Sequence, residues 1–555
     1  MVAAEHSRAP SSSSNSDFHP MDPFNGPDEQ QHQEAEASSP VLARKGESWK
    51  GEPEKPTPRR LLNEFRQPPI WVAVFGIFSY AIILLYGQFR DCLRRLRIER
   101  NHKANELPRQ SDFVHLYSDF EALYIANVYR PIRDVFNRPI NSAPGATMSL
   151  LQRTSRDYNW NLELTGEEQR VLNFGSYNYL GFAEVKGPCA GPNKEALRKF
   201  GVASCSTPRE LGRPVLQQEL ERLVAEFVGK EEALCFPMGF ATNSTNLPAL
   251  MGRGTLILSD ELNHSSLILG CKLSQATKRV FRHNDMEDLE RKLRDAIVLG
   301  QPRTRRPFKK ILIIVEGIYS MEGSICNLPK IIELKKKYKA YLWLDEAHSI
   351  GALGSHGRGV VDYFGADFAD VDVMMGTFTK SFGASGGYIA GSKPFIRHMR
   401  SHSVGVCYGA GMAPVVAQQI ISALNIIMGR DGTDDGARRI GQLAWNARYL
   451  RRKLLERGFI VWGADDSPVI PLMLFFVCLV GKFNRDMLHR FGMATVTVGY
   501  PATPLTLTRA RFCVSSAHSK EMLDQAVEAI DILGDEMNLK FSAGHLEEIA
   551  AQHHA

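Results

Sequence analysis

The stretch Val371-Asp-Val-Met-Met-Gly-Thr-Phe-Thr-Lys380-Ser-Phe-Gly383 indicates the fold class of this chain. Its apolar beginning is typical of a buried strand, and its glycines and hydroxyl side chains indicate a turn after that strand. A lysine at this position can present its amine to an aldehyde, while neighbouring hydroxyls and amides hold a phosphate. A surface lysine in a glycine-rich turn would explain the same residues, so a companion motif is needed.

The companion motif lies about 35 residues earlier, where the apolar run Ala340–Leu344 ends in Asp345-Glu346-Ala347-His348. A carboxylate at the end of a buried strand is costly unless it meets a cation, and a protonated pyridine nitrogen is such a cation. The same four residues also resemble the magnesium-binding box of a helicase. That alternative requires a phosphate loop of the GxxxxGK[ST] kind, which the sequence lacks.

Two further segments favour the same type of site. His264 follows the apolar run Thr255–Ser259, and its imidazole could lie flat on a pyridine ring. A structural histidine at a strand end is the open alternative. Phe236–Asn243, which includes Gly239 and Phe240, has the strand, turn and helix order of a phosphate cradle at a helix N-terminus.

Apolar strand-like runs alternate with helical stretches from about residue 110 onward. The runs are ALCFPM (233–238), TLILS (255–259), KRVFRH (278–283), ILIIVEG (311–317), AYLWLDE (340–346), VDVMMGT (371–377) and GGYIAG (386–391). This alternation predicts an α/β fold with a mostly parallel sheet and helices on both faces. Near residues 410–440 the pattern changes to a long helix, followed by a mixed segment that predicts a smaller α+β domain.

The N-terminal region has a different character. Residues 1–68 are rich in Ser, Pro, Gln, Glu and His without an apolar period, which predicts a disordered tail. Residues 69–89 include the charge-free run Ile70–Phe89, about 20 residues long, which predicts one transmembrane helix. A buried core helix is the alternative. The flank after Phe89 is the more basic, which favours a cytosolic C-terminal side.

The remaining predicted segments are a basic and helical arm at 90–165, a large domain at 166–425, a small domain at 426–540 and a tail at 541–555. The formal net charge of +6 on 555 residues is too small to indicate nucleic acid. The nine cysteines show no paired spacing, which favours reduced thiols in a cytosol-facing domain and gives no metal motif.

These motifs together resemble those of the α-oxoamine synthases, a family of fold type I pyridoxal-phosphate enzymes. The resemblance runs from about Asp112 to Leu539. It rests on Asn178-Tyr-Leu-Gly181, Glu316–Gly323, Leu344–His348, Gly376–Lys380 and Pro501-Ala-Thr-Pro504. The resemblance implies a large domain with a mostly parallel seven-stranded sheet and a smaller α+β C-terminal domain, here preceded by the transmembrane helix.

The resemblance also implies roles for individual residues. Lys380 would be the Schiff-base lysine and the base, Asp345 would contact the pyridine nitrogen, and His264 would stack on the ring. The other residues with implied roles are His348 near the phenolic oxygen, Thr377, Thr379, Gly239 and Phe240 around the phosphate, and Asn178 and Arg511 at the substrate. Arg511 would grip the amino-acid carboxylate, and Arg509 is the nearby alternative for that role.

The implied reaction is a decarboxylative condensation of L-serine with a long-chain acyl-coenzyme A. The resemblance further implies a heterodimer with a lysine-less sister subunit, with small regulatory membrane subunits as further partners, at the endoplasmic reticulum membrane with a cytosolic catalytic domain. Two alternatives stay open at this point. One is a relative that condenses glycine or alanine, and the other is a non-catalytic scaffold subunit, which would be expected to lack Lys380.

One segment departs from the family pattern. Between Gly201 and Gln217 the chain has Ala203, Pro208 and Gln217 where relatives usually have glycine, arginine and histidine. Arg209 lies one position along and is the expected substitute for the arginine. The departure bears on acceptor binding and on partner contacts at 203–217, and leaves the cofactor chemistry unaffected.

Overall fold

The structure is a computed structural model that describes residues 65–96, 98–99, 108–110, 112–114, 119–210 and 213–542. Most of the predicted tails at 1–68 and 541–555 therefore lie outside the described residues. So do Arg97, Arg100 and Lys103 of the basic flank.

The strands of the described chain are β1 Thr147–Thr154, β2 Glu163–Asn173, β3 Glu232–Phe236, β4 Leu256–Asp260, β5 Thr277–Phe281, β6 Ile311–Glu316, β7 Tyr341–Asp345, β8 Val373–Thr377, β9 Gly387–Gly391, β10 Val469–Met473, β11 Met493–Ala494, β12 Val496–Val498 and β13 Arg509–Cys513.

The α-helices are α1 Ile70–Arg95, α2 Asp119–Tyr124, α3 Ala190–Phe200, α4 Val215–Phe227, α5 Gly239–Leu250, α6 Ser265–Leu273, α7 Met286–Leu299, α8 Leu328–Tyr338, α9 Val360–Phe364, α10 Lys393–His402, α11 Val404–Cys407, α12 Pro414–Ile427, α13 Asp435–Glu456, α14 Val477–His489 and α15 Lys520–Glu536. A π-helical turn covers Ile125–Tyr129, and 3-10 turns cover Pro108–Gln110, Arg130–Val135 and Phe368–Asp370.

The central sheet has seven strands in the order β3-β9-β8-β7-β6-β4-β5. All neighbouring pairs are parallel except those of β9, which runs antiparallel to β3 and β8. Strands β4, β8 and β9 are buried at every position, which explains why their sequences do not alternate between apolar and polar residues. The predicted mostly parallel seven-stranded α/β sheet is confirmed.

Three neighbouring parallel strands end at the same edge of this sheet. Strand β6 ends at Glu316, β7 ends at Asp345 and β8 ends at Thr377. In open α/β sheets ligands bind beyond the carboxyl ends of the strands. The motifs that the sequence singled out therefore converge on the edge where a ligand site is expected.

Two three-stranded sheets lie outside the central one, in the orders β10-β13-β12 and β1-β2-β11. Strand β2 pairs with β1 from the N-terminal arm and with β11 from the C-terminal part of the chain. The predicted boundary at 165/166 falls inside β2, and the one at 425/426 falls inside α12. The division into domains stays a prediction.

Helix α1 is long and apolar enough to cross a membrane by length and composition, with a mean hydropathy of 2.1 over its most apolar window. It extends six residues beyond the predicted end at Phe89 and carries Arg90, Asp91, Arg94 and Arg95 on its last turns. The apolar stretch therefore ends within the helix, which continues through these charged turns.

One side of α1 packs against the rest of the protein. Val72 joins a buried cluster with Trp462 and Phe475, and Tyr80 packs with Val477. Gly87 lies so close to Asn127 that a Cβ atom there would meet its side chain at 3.2 Å. The other sides of the helix expose large apolar residues, among them Ile70, Trp71, Val74, Phe75, Ile77, Phe78, Ile82, Leu85, Tyr86 and Phe89.

Candidate active site

Lys380 lies in the turn after β8, half-buried at the carboxyl edge of the central sheet. Its Nζ atom lies 5.7 Å from the centroid of the Tyr177 ring. Burial lowers the pKa of Lys380 to about 8, and the charge of Asp345 opposes this shift. An amine with this pKa is unprotonated in a substantial fraction of molecules near neutral pH, as a nucleophile or a base requires.

Asp345 ends β7 and is 2% exposed. Its Oδ1 accepts a hydrogen bond from Ala347 N at 2.9 Å, and its Oδ2 accepts one from Asn243 Nδ2 at 2.7 Å. Hydrogen bonds of this kind stabilise the ionised form of a carboxyl group. The edge of the sheet therefore offers a buried carboxylate to a cationic ligand.

His264 is the N-cap residue of α6. Its Nδ1 atom lies 2.8 Å from Ser266 Oγ and accepts from Ser266 N at 3.2 Å, so the ring orientation is held by the helix it caps. Burial lowers the pKa of His264; Asp345 opposes this shift and Lys380 adds to it. Phe240 contacts the imidazole edge-on at 5.9 Å between centroids. A neutral ring with an exposed side can stack on a planar ligand.

His348 is buried and lies 2.8 Å from the Tyr179 hydroxyl through its Nδ1 atom. Burial holds the pKa of His348 well below its usual range, and the charges of Lys380 and Arg511 add to this effect. The imidazole is therefore neutral. Tyr179 is also buried and fixes the orientation of the His348 ring. It belongs to the sequence motif 178–181, but this role was not predicted from the sequence.

A small polar cradle lies between the start of α5 and the end of β8. A Cβ atom on Gly239 would approach Thr377 Oγ1 to 2.7 Å, so only glycine allows this contact. The Thr377 hydroxyl lies 2.8 Å from that of Thr379. The N-cap residue of α5, Met238, makes no capping hydrogen bond with its side chain to the first N–H groups of the helix. Helix N-termini of this kind bind phosphate.

The two candidate arginines of β13 have different environments. Arg509 is fully buried, pairs with Glu322 Oε1 at 3.3 Å and donates to Met321 O at 2.8 Å. Arg511 is 5% exposed, lies 4.9 Å from the Tyr177 ring centroid, and its buried Nε has no hydrogen-bond partner. Among the described residues, no carboxylate forms an ion pair with Arg511. It is therefore the arginine that is available to an anionic substrate.

Asn178 was predicted to contact the substrate, but its side chain is engaged by two backbone groups. Its Nδ2 donates to Pro144 O at 3.1 Å, and its Oδ1 accepts from Ala183 N at 3.2 Å. Its neighbours Tyr177 and Tyr179 contact the site residues instead. A substrate role for Asn178 stays a prediction.

The atypical segment near 203–217 is tied to the protein by other contacts. Gln217 is buried, and its Oε1 accepts from Met412 N at 3.3 Å. Arg209 donates from Nη1 to Ser401 O at 3.3 Å and contacts Cys407 Sγ at 3.1 Å. Arg209 is thus engaged with the C-terminal ends of α10 and α11.

The residues present fit the predicted pyridoxal phosphate. The cradle beside Gly239 suits its phosphate, the Asp345 carboxylate suits its pyridine nitrogen, and the Lys380 amine suits its aldehyde. Among the described residues, no group of three or more His, Cys, Asp or Glu side chains could hold a metal ion. The arrangement can therefore hold a planar phosphorylated aldehyde beside a lysine and an arginine.

Comparison with known proteins gives the family. Residues 169–530 match the family described as aminotransferase class I and II. The chain is 53% identical to serine palmitoyltransferase 2 of Caenorhabditis elegans over 484 residues, 87% of each chain. It is also 53% identical to human serine palmitoyltransferase 3 over 483 residues, again 87% of each chain.

Solved structures agree with these relatives. A serine palmitoyltransferase from Sphingomonas wittichii is 27% identical, with a TM-score of 0.65, and the match covers 78% of this chain and 99% of that chain. A structure of a serine palmitoyltransferase with PLP is 25% identical, with a TM-score of 0.65, covering 78% of this chain and 100% of that chain. The chain therefore belongs to the serine palmitoyltransferase family, within the fold type I transferases.

Proposed function

We propose that this chain is the lysine-bearing catalytic subunit of a serine C-palmitoyltransferase with pyridoxal 5′-phosphate as its cofactor. It condenses L-serine with palmitoyl-coenzyme A or a similar long-chain acyl-coenzyme A. The products are 3-ketodihydrosphinganine, carbon dioxide and free coenzyme A. This reaction is the first step of sphingolipid biosynthesis.

The observation that carries the proposal is the gathering of Lys380, Asp345, His264 and Arg511 at one edge of the sheet. Lys380 has a low pKa, so its amine can accept a proton at neutral pH. Arg511 is a buried guanidinium without a carboxylate partner among the described residues, as a carboxylate clamp should be. A non-catalytic scaffold subunit would not need these four residues at one place.

Each residue has a defined part in the reaction. Pyridoxal phosphate, when bound, supplies an aldehyde for the amino group of serine and a ring that accepts the electron pair left at Cα. Arg511 holds the serine carboxylate, Lys380 removes the Cα proton, and Asp345 keeps the pyridine nitrogen protonated. His264 covers one face of the pyridine ring. Lys380 can return the proton to Cα after carbon dioxide has left.

The test is a product assay on membranes that contain the full chain and its sister subunit. L-serine with palmitoyl-coenzyme A should give the keto base and carbon dioxide, detected by mass spectrometry and by release of labelled carbon dioxide. L-alanine, glycine and a series of acyl lengths test the alternative synthases. A preference for glycine or alanine would overturn the assignment of serine. Full activity of a Lys380→Ala chain would instead place catalysis in another subunit.

A heterodimer is part of the proposal. Helix α5 adjoins both α6 and α11 beside the site. They expose large apolar side chains, namely Phe240, Ile268, Leu269, Leu273 and Val404. Phe240 belongs to this surface and also contacts His264, so a partner seated here would close one edge of the site. A fully active monomer, independent of concentration and of any companion, would contradict this part.

We place the protein at the endoplasmic reticulum membrane through α1, with the catalytic domain in the cytosol. The asparagines of the two native acceptor sequences, Asn243 and Asn263, are buried in the folded protein at 1% and 4% exposure, so exposed acceptor sequences are better reporters of topology. Pro302→Asn creates an acceptor sequence with Thr304 in an exposed turn, and Asp17→Ser creates one at Asn15 in the tail.

A single crossing predicts sugar on Asn15 of the Asp17→Ser chain and none on the Pro302→Asn chain. Sugar on the Pro302→Asn chain alone would place the catalytic domain in the lumen. Sugar on neither chain would indicate that α1 lies on the membrane without crossing it.

A further inference from the structure

A second buried carboxyl group lies beside Asp345. Glu316 ends β6, is 4% exposed and pairs in register with Asp345 across the two parallel strands. Neighbouring strands are about 4.8 Å apart, and paired residues point to the same face of a sheet. Two ionised carboxylates in this arrangement would repel each other strongly, because little water screens them.

The hydrogen bonds indicate which of the two carboxyl groups carries the negative charge. Asp345 accepts from both Asn243 Nδ2 and Ala347 N. Among the described residues, Glu316 Oε1 accepts from a single donor, His264 N. The charged groups that face Glu316 are Asp345, Asp260 and Lys380. Burial, followed by the charge of Asp345, raises the pKa of Glu316 well above its usual range. The proton therefore resides on Glu316.

We propose that Glu316 is a positioning residue that acts as a neutral acid, holding the backbone of His264 and leaving Asp345 as the carboxylate that meets the cofactor. Glu316 fixes the backbone N–H of His264, while Ser266 fixes its ring. Asn243 Nδ2 links Ser266 Oγ at 3.0 Å to Asp345. The stacking histidine and the pyridine carboxylate are thus held by one network. This inference rests on the proposed function for its cofactor.

Three variants of the full chain separate the parts of this proposal. Glu316→Gln keeps a neutral acceptor of the same length. Glu316→Asp keeps an acid but shortens its reach to His264 N, and Glu316→Ala removes both. Each variant is made with the sister subunit. The measurements are the affinity of the apoenzyme for pyridoxal phosphate, the visible spectrum from pH 6 to 9, the spectral change on adding serine, and kcat.

Glu316→Gln should stay within about twofold of the unaltered chain in every measurement, because the group it replaces is already neutral. Glu316→Asp and Glu316→Ala should lower cofactor affinity and kcat by about tenfold or more, because His264 is no longer fixed. A Glu316→Gln chain as impaired as Glu316→Ala would show that the ionised acid is needed. An unimpaired Glu316→Asp chain would remove the positioning role, even if Glu316→Ala fails to fold.

The cofactor affinity and the spectrum do not depend on an acyl donor. A chain that binds pyridoxal phosphate as expected across the three variants but forms no keto base would overturn the proposed function while sustaining the role of Glu316. The two failures are therefore distinguishable.

Discussion

Asn243 Nδ2 donates a hydrogen bond to Asp345 Oδ2 at 2.7 Å, which joins the first turns of α5 to the end of β7. Both side chains are buried, with Asn243 at 1% and Asp345 at 2% exposure. The helix that offers its N-terminus to a phosphate also supports the carboxylate that faces the ring. Under the proposed function, one helix would therefore position both ends of the cofactor.

Asn243→Ala should weaken cofactor binding, because Asp345 loses one of its two donors. A hydrogen bond to a charged group contributes about 1.5–3 kcal/mol, so the affinity of the apoenzyme for pyridoxal phosphate should fall about 10- to 100-fold. Asn246→Ala is the matched control, since Asn246 is equally buried on the same helix but, within the described part of the chain, donates only to Thr242 O. Equal losses in both variants would contradict the role of Asn243.

Lys380→Ala should remove the visible absorption band of the resting enzyme and abolish turnover, because no other residue both binds the aldehyde and moves the proton. Asp345→Ala should keep a lysine-bound cofactor but lose several kcal/mol of charge stabilisation, and so most of its kcat. Lys393→Ala, at an exposed lysine of α10, is the control. A Lys380→Ala chain that retains the band or makes keto base would refute the assignment.

The uptake of pyridoxal phosphate by the apoenzyme should depend on pH through Lys380. Only the unprotonated amine attacks an aldehyde, and the pKa of Lys380 is lowered from 10.5 to about 8. The rate should therefore rise with pH up to about 8 and level off above it, whereas an ordinary lysine would continue to gain rate beyond pH 10.

Asp345→Asn should move this midpoint to lower pH, because the charge of Asp345 raises the pKa of Lys380. Stopped-flow absorbance over pH 6.5–10 measures both chains. A midpoint near 10 in the unaltered chain would show that burial does not tune this amine.

Arg511→Lys should raise the KM for serine with little change in the KM for the acyl donor, because lysine lacks the planar fork that grips a carboxylate. Arg509→Met should instead lower stability by ~3–5 kcal/mol, since it leaves Glu322 buried without its partner. Kinetics with each substrate and thermal unfolding distinguish the two arginines. An unchanged serine KM in Arg511→Lys would transfer the clamp to another residue.

The sequence predicted the sheet and the candidate residues that follow apolar runs, because the carboxyl ends of parallel strands meet at one edge. Lys380, Asp345 and His264 each come just after such a run. Asn243 was not predicted as a site residue, since nothing in a helical segment reveals that its amide points back to the sheet. Glu316 belongs to the motif Glu316–Gly323, which supported the family resemblance, but no role was predicted for it. The clue was that β6, like β7, ends in a buried carboxyl group.

Helix α1 shows what an apolar pattern cannot reveal. Its residues from Ile70 to Phe89 are nearly all apolar, so no period distinguishes the side that packs against protein from the exposed sides. The packed side carries both small residues, Gly76 near Phe475 O and Gly87 near Asn127, and the larger Val72 and Tyr80. The packed side was therefore not predictable from sequence.

The packing of α1 has a practical consequence for anyone who wants a water-soluble fragment. Cutting the chain after residue 96 would delete the exposed apolar side chains of α1, but it would also uncover Trp462 and Phe475, which Val72 now helps to bury. One exposed apolar surface would be replaced by another. A soluble version is better sought by exchanging the outward residues, such as Phe75 and Phe78, for polar ones while Val72, Gly76, Tyr80 and Gly87 are kept.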